Sequence, residues 1–180
     1  KYEEAYNFAL RHNVEPGSTF KAITMCALLE NDPNIDIEDR LHLGTTDYKV
    51  FYRRTMRDSH RVTDENGYTT IRNAFEQSSN IAFATLVEDA FVDNPQRYID
   101  LIYKTKINEP LNLDIIGEAN PDIKTTKDKR WSKLSLPWMS IGYETQIAPI
   151  NIVAFYNAIA NNGKFMKPRP VSAILEAGQV

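Results

Sequence analysis

Cysteine is nearly absent from this sequence. Cys26 is the only one, so no internal disulfide can brace the fold and the redox compartment is left open. It lies inside an apolar run and reads as a small core side chain. Histidine is almost as scarce: His12, His42 and His60 are scattered without metal-ligand spacing, so neither a metal site nor a cofactor is expected. An excess of positive charge is also missing. The net charge is −3 and the pI is near 5.7, whereas a nucleic-acid footprint is basic and clustered. Arg53, Arg54, Arg57 and Arg61 do cluster, but Asp58, Asp64 and Glu65 offset them, which reads as a solvated face. Within these 180 residues no apolar run approaches a membrane span, and no signal peptide, repeat or low-complexity tract is expected from the pattern. The chain opens on Lys1 in what already reads as mid-domain sequence, so a piece of a longer protein is expected.

What remains is ordinary globular material. A length of 180 residues, 42% hydrophobic and 25% charged, suffices for one domain with a real core. Tyr2 to Arg11 reads as an extended or irregular lead-in that ends at Pro16-Gly17. Ser18 to Glu30 reads as a helix, apolar almost all round and therefore central. Short β-like pieces at Arg40–Leu43 and Tyr48–Arg53 predict one or two small hairpins before Tyr68. Thr70 is placed to cap a helix over Ile71–Glu76, and a second helix over Ile81–Phe91 follows at once. Asn94-Pro95 starts another, to about Lys104. Lys106 to Pro137 is loop-rich. Pro149 opens a last helix, Ile150–Ala160, stopped by Asn161-Asn162-Gly163, and an extended tail runs on from Lys164.

Two polar joints carry the chemistry. Glu15-Pro16-Gly17-Ser18-Thr19-Phe20-Lys21 sets a serine at the mouth of the apolar helix with a lysine three residues on. Residues i and i+3 share a helix face, so an amine can stand beside the hydroxyl and take its proton. With eight serines and eleven lysines in the chain, about half a match to S-x-x-K is expected by chance. The second joint, Gln77-Ser78-Ser79-Asn80, lies between two amphipathic helices. It reads equally as a helix cap by Ser79 or Asn80 and as a presentation of Ser78 and Asn80 into a shared crevice. Each pattern occurs once, and Ser78 follows Ser18 by 78 − 18 = 60 residues.

Glu-Pro-Gly-Ser-Thr-Phe-Lys and Gln-Ser-Ser-Asn together resemble the first and second motifs of the transpeptidase domain of class B penicillin-binding proteins, closest to the cell-division type. Ser140-Ile141-Gly142-Tyr143-Glu144-Thr145-Gln146, then Pro149, the small-residue run Ala158-x-Ala160-Asn161-Asn162-Gly163 and the tail Lys167-Pro168-Arg169 extend that resemblance over nearly the whole chain. The third motif, K-[ST]-G, has no counterpart. Lys104-Thr105-Lys106 is the nearest approach and lacks the glycine. The resemblance therefore implies a mainly α chain with small β hairpins: the helical half of an α/β transpeptidase fold of the serine β-lactamase kind, its central sheet largely missing. A five-stranded antiparallel sheet inside these residues would contradict it. Residues 1–180 are expected to be a partial domain, lacking N-terminal strands and the K-T-G strand, with apolar surface exposed and a tendency to self-associate.

The same resemblance implies a serine acyl-enzyme with no metal or cofactor. Ser18 is the expected nucleophile, Lys21 its base, Ser78 a proton relay, and Asn80 the holder of Lys21 and of a substrate amide. Peptidoglycan stem peptides ending in D-Ala-D-Ala, β-lactams and cell-division proteins are the implied partners. The implied location is the bacterial envelope, outside the cytoplasm, with the parent anchored in the inner membrane by a segment elsewhere. Without the third-motif strand, a lost oxyanion donor alone costs about 10² to 10³ in rate, so the chain by itself is expected to be nearly inactive. Two alternatives stay open: a β-lactamase or β-lactam sensor, though no E-x-x-x-N segment follows the second motif, and a catalytically dead scaffold. Trp131, Trp138 and Tyr143 read as core more than as groove, Glu15 as a turn or salt-bridge residue, and Asp58-Ser59-His60 as hairpin, since a triad needs spatial convergence.

Overall fold

The computed structural model describes residues 6–113 and 115–171. A short helix α1 (Phe8–Arg11), a 3-10 turn (Gly17–Phe20) and α2 (Lys21–Asn31) come first. β1 (Arg40–His42), a hairpin of β2 (Tyr48–Phe51) and β3 (Arg54–Arg57), and β4 (Tyr68–Thr70) follow, with β4 returning antiparallel to β1. α3 (Ile71–Glu76), α4 (Asn80–Phe91) and α5 (Pro95–Lys104) then run almost without interruption. β5 (Asp122–Ile123), α6 (Ser135–Met139), β6 (Thr145–Gln146) and α7 (Pro149–Ala160) complete the chain, β5 pairing with β6. Among the described residues the strands make three separate two-stranded sheets and no five-stranded one. The expected helical chain with small hairpins is what forms.

Helices α2, α4 and α5 make the centre. α2 holds no glycine or proline and buries Ile23, Thr24, Ala27 and Leu28 together with Lys21. α4 is apolar on most sides and buries Ile81, Phe83, Val87 and Phe91. α5 is amphipathic: Tyr98, Ile99, Leu101 and Ile102 go inward while Arg97, Asp100 and Lys104 face water. One core joins Phe20, Ile23, Leu28, Phe91, Tyr98 and Met139; a smaller one sets Phe51, Met56, Phe83 and Ile141 under the hairpin. Each such fully buried side chain contributes roughly 1.5–3 kcal/mol of transfer free energy. Cys26 sits half-buried against the larger core, unpaired.

Four local expectations need adjustment. Residues 1–5 lie outside the described residues, but Phe8–Arg11 is a helical turn, not an extended lead-in, because Leu10 is drawn into the interior. The central helix is regular only from Lys21, since left-handed Gly17 (φ +56) winds Ser18 into the tighter 3-10 turn. β2 stops at Phe51. Tyr52 (φ +45) and Arg53 (φ +73) form a two-residue left-handed turn that ordinarily takes Asn-Gly. The loop-rich stretch ends in α6, where Pro137 occupies the first turn and its missing N–H leaves no helical bond unmade. By contrast, Thr70 accepts from the Asn73 N–H at 3.1 Å as its cap. α7 closes through left-handed Asn162, with the Gly163 N–H donating to the Ala158 carbonyl at 2.8 Å. Val153, Tyr156 and Ile159 leave one α7 face apolar and exposed.

Candidate active site

Ser18 is exposed on the 3-10 turn, and a second backbone segment supports that turn from behind. Gly142 (φ +85) lies so close that a Cβ there would stand 2.2 Å from the Gly17 carbonyl oxygen. The Gly17 N–H donates to the Gly142 carbonyl at 3.3 Å. Val14 and Ile147 exchange both backbone bonds, at 3.1 and 3.0 Å, and tie the same two segments together. Glu15 accepts from the Glu144 N–H at 3.0 Å, in line with a turn role. The Thr19 hydroxyl donates to the Pro16 carbonyl at 2.8 Å, and the Tyr156 hydroxyl to the Thr19 carbonyl at 2.9 Å.

The Ser78-Ser79-Asn80 joint is built differently. α3 ends in a Schellman closure: the Ser79 N–H donates to the Ala74 carbonyl at 2.8 Å and the Ser78 N–H to the Phe75 carbonyl at 3.0 Å. Ser78 holds the left-handed position (φ +55) that glycine usually takes. Ser79 is buried and caps α4, accepting from the Ala82 N–H at 3.0 Å. Both readings of this joint therefore hold at once, because Ser79 caps while Ser78 and Asn80 are free to face α2.

They face Lys21. Its side chain is 1% exposed. The Nζ atom lies 3.2 Å from Ser18 Oγ, 3.0 Å from Ser78 Oγ, 2.5 Å from the Ser78 carbonyl oxygen and 2.7 Å from Asn80 Oδ1. It also stands 5.8 Å from the centre of the Phe83 ring. The four residues singled out in the sequence thus converge on one nitrogen. Burial pulls the lysine from its ordinary value of 10.5 down to about 8, while the Asp58 carboxylate pulls the other way. At pH 7 about a tenth of such amines are neutral, against fewer than one in a thousand for an ordinary lysine.

An ammonium has three hydrogens and here meets four acceptors. A neutral amine keeps two. The short contacts to the Ser78 carbonyl and to Asn80 occupy those two, and the single lone pair is left to accept from the Ser18 hydroxyl or the Ser78 hydroxyl in turn. The arrangement can take a proton from one serine and pass it to another.

Other candidates fall elsewhere. Trp138 packs edge-on against Phe51, with ring centroids 6.4 Å apart, and Tyr143 is exposed. Trp131 packs on the core and also lines a cavity of about 290 Å³ with Tyr52, Glu88 and Lys133. Lys104-Thr105-Lys106 merely ends α5. His60 contacts Ser59 and Gln77 and makes no triad. Asp58 is not the surface counterweight to arginines that the sequence suggested: its carboxylate accepts from the Ser79 hydroxyl and from the start of α4. Asp58 lies twenty-one residues before Ser79, and no sequence periodicity marks so distant a pairing.

The chain matches the penicillin binding protein transpeptidase domain over residues 1–179, and it belongs to that family. Penicillin-binding protein PbpB of Mycolicibacterium smegmatis is 26% identical over 168 residues, which are 89% of this chain and 23% of that protein. The probable peptidoglycan D,D-transpeptidase PenA of Neisseria flavescens is 24% identical over 170 residues, 94% of this chain and 38% of the relative. The chain thus spans well under half the length of either. The fold is shared with the transpeptidase domain of penicillin-binding protein 3 from Burkholderia pseudomallei (TM-score 0.75, 20% identity, 89% of this chain and 45% of that one). Among the described residues, no helix is long and apolar enough to cross a membrane.

Proposed function

We propose that this chain carries the acylation centre of a peptidoglycan D,D-transpeptidase that β-lactams inhibit. The observation that carries the proposal is the buried, depressed Lys21 amine 3.2 Å from the exposed Ser18 hydroxyl. Ser18 Oγ attacks the carbonyl of the penultimate D-Ala of a stem peptide, and its proton passes to neutral Lys21 Nζ. The C–O bond forms and the peptide C–N bond breaks. The proton leaves through the Ser78 hydroxyl, 3.0 Å from Nζ, to the departing D-Ala nitrogen. The amine of a neighbouring stem then attacks the ester, forms the cross-link and returns Ser18 to its hydroxyl form. Asn80 holds Lys21 through Oδ1. Its amide nitrogen donates to the Arg57 carbonyl at 2.9 Å, which fixes the side chain's orientation.

A stem-peptide substrate supports a place for the parent protein in the envelope, outside the cytoplasm, while an inner-membrane anchor elsewhere in the parent rests on the motif resemblance. A division role, with division-protein partners, rests on the motif resemblance alone. The exposed α7 face of Val153, Tyr156 and Ile159 makes self-association of the 180-residue chain the expectation, and a clean monomer in light scattering at high concentration removes it. The deciding experiment labels the full-length protein with a fluorescent penicillin and measures intact mass beside Ser18→Ala. One adduct, lost in the variant, is the expected result. An adduct that survives the substitution overturns the reading.

A further inference from the structure

We propose that Asp58, just past the end of β3, is a positioning residue of the acylation site: its carboxylate gathers the Ser79 hydroxyl and the first amides of α4, and so aims Ser78 and Asn80 at Lys21. The inference rests on the reading of Ser18 as nucleophile.

The contacts are specific. Asp58 Oδ2 accepts from the Ser79 hydroxyl at 2.6 Å. Oδ1 accepts from the Asn80 N–H at 2.6 Å and the Ile81 N–H at 3.1 Å. Hydrogen bonds to an ionised carboxylate are about twice as strong as neutral ones, and an anion at a helix N-terminus is favoured by the helix dipole. The carboxylate is itself anchored, because the Asp58 N–H donates to the Asp47 carbonyl at 2.9 Å. The neighbouring Arg57 carbonyl holds the Asn80 amide. One strand end therefore grips Asn80 by backbone and side chain together.

The grip has something to resist. Ser78 sits left-handed, a conformation that costs a non-glycine residue free energy and persists only where its surroundings enforce it. The Asp58 carboxylate also acts on the Lys21 amine, favouring its protonated form against the burial that disfavours it. Other titratable side chains nearby are engaged elsewhere: Arg57 with Asp47 at 3.7 Å, Lys49 with Thr85, Glu88 with Tyr52, His60 with Ser59 and Gln77, Glu15 with the Glu144 amide.

The test is acylation of the full-length protein by a fluorescent penicillin across the Lys21 midpoint of about pH 8, with thermal melts and intact mass for each variant. Asp58→Asn is expected to lower the plateau rate about ten- to a hundredfold, as a small misplacement of reacting groups does. It is also expected to move the acid limb to lower pH, because the anion that keeps Lys21 protonated is gone. Ser79→Ala keeps that charge, so it should lower the melting temperature and leave the limb in place. If Asp58→Asn and Ser79→Ala slow acylation equally with neither limb moved, Asp58 is a helix cap and the proposal falls. Should Asp58→Asn not fold, Asp58→Glu decides: a slowed plateau with the limb in place supports positioning, and an unchanged rate overturns it. A wild-type protein without an adduct at Ser18 overturns the nucleophile reading and this inference together. An adduct with Asp58→Asn unaffected overturns only this one.

Discussion

The two serine joints do the same job by different physics. Both present a hydroxyl to Lys21 from an exposed turn at a helix entrance. At Ser18 the strained left-handed position is a glycine, Gly17, and support comes from the Gly142 backbone at a distance no side chain could share. At the second joint the left-handed residue is Ser78 itself, and support comes from an anion, Asp58. Where the functional side chain lies outside the strained residue, glycine removes the strain. Where the strained residue itself carries the hydroxyl that faces Lys21, charge-assisted hydrogen bonds hold the joint instead.

The sharpest way to break the comparison is Gly142→Ala. The added methyl meets backbone and the φ is left-handed, so a stability loss of about 3 kcal/mol is expected in urea melts, together with loss of the penicillin adduct. Wild-type stability with normal labelling would show that the two segments can part without harm. Ser78→Gly tests the other joint from the opposite side. It relieves the left-handed strain while deleting the hydroxyl, so stability should hold or rise by up to about 1 kcal/mol. Acylation should fall about a hundredfold, the lower end for a lost proton relay. A parallel fall in both would mean that Ser78 is structural.

Lys21 belongs to both joints, and its pH dependence has a definite sign. Its folded value of about 8 lies below the ordinary 10.5, so the unfolded chain binds the proton more readily. The resulting destabilisation is absent above 10.5, grows as pH falls to 8 and is constant below. Lys21→Met should therefore gain stability relative to wild type over that window, and a pH-independent difference between their denaturant midpoints would contradict it. Tyr156→Phe is the gentlest probe. Removing the hydroxyl that donates to the Thr19 carbonyl should lower stability by about 0.5–1 kcal/mol and slow acylation less than about threefold, read in the same assays.

Much of the helical frame was legible because its signals are local. Thr70, Pro95, Pro149 and Asn161-Asn162-Gly163 bound their helices as their capping chemistry suggests. The hairpin turn was not legible, since Tyr52-Arg53 is an unlikely sequence for two consecutive left-handed residues. The proline-containing α6 was hidden among loop residues that resemble it in composition. Of the site, the spacings Ser18-x-x-Lys21 and Ser78-x-Asn80 marked Lys21 and the three side chains that converge on its nitrogen. Asp58 reads in the sequence as a partner for surface arginines, because its true partners lie beyond a strand and a helix, β4 and α3.

By itself the sequence determined what short-range rules control: which residue types were available for acyl transfer, where helices start and stop, and which faces turn inward. Only the tertiary structure decided that Lys21 would be desolvated, that two segments 125 residues apart (142 − 17) would meet glycine to glycine, and that Asp58 would hold the second joint. Close backbone approach and a buried amine depend on which chain segments exclude water from one another, and that is a property of the packed whole.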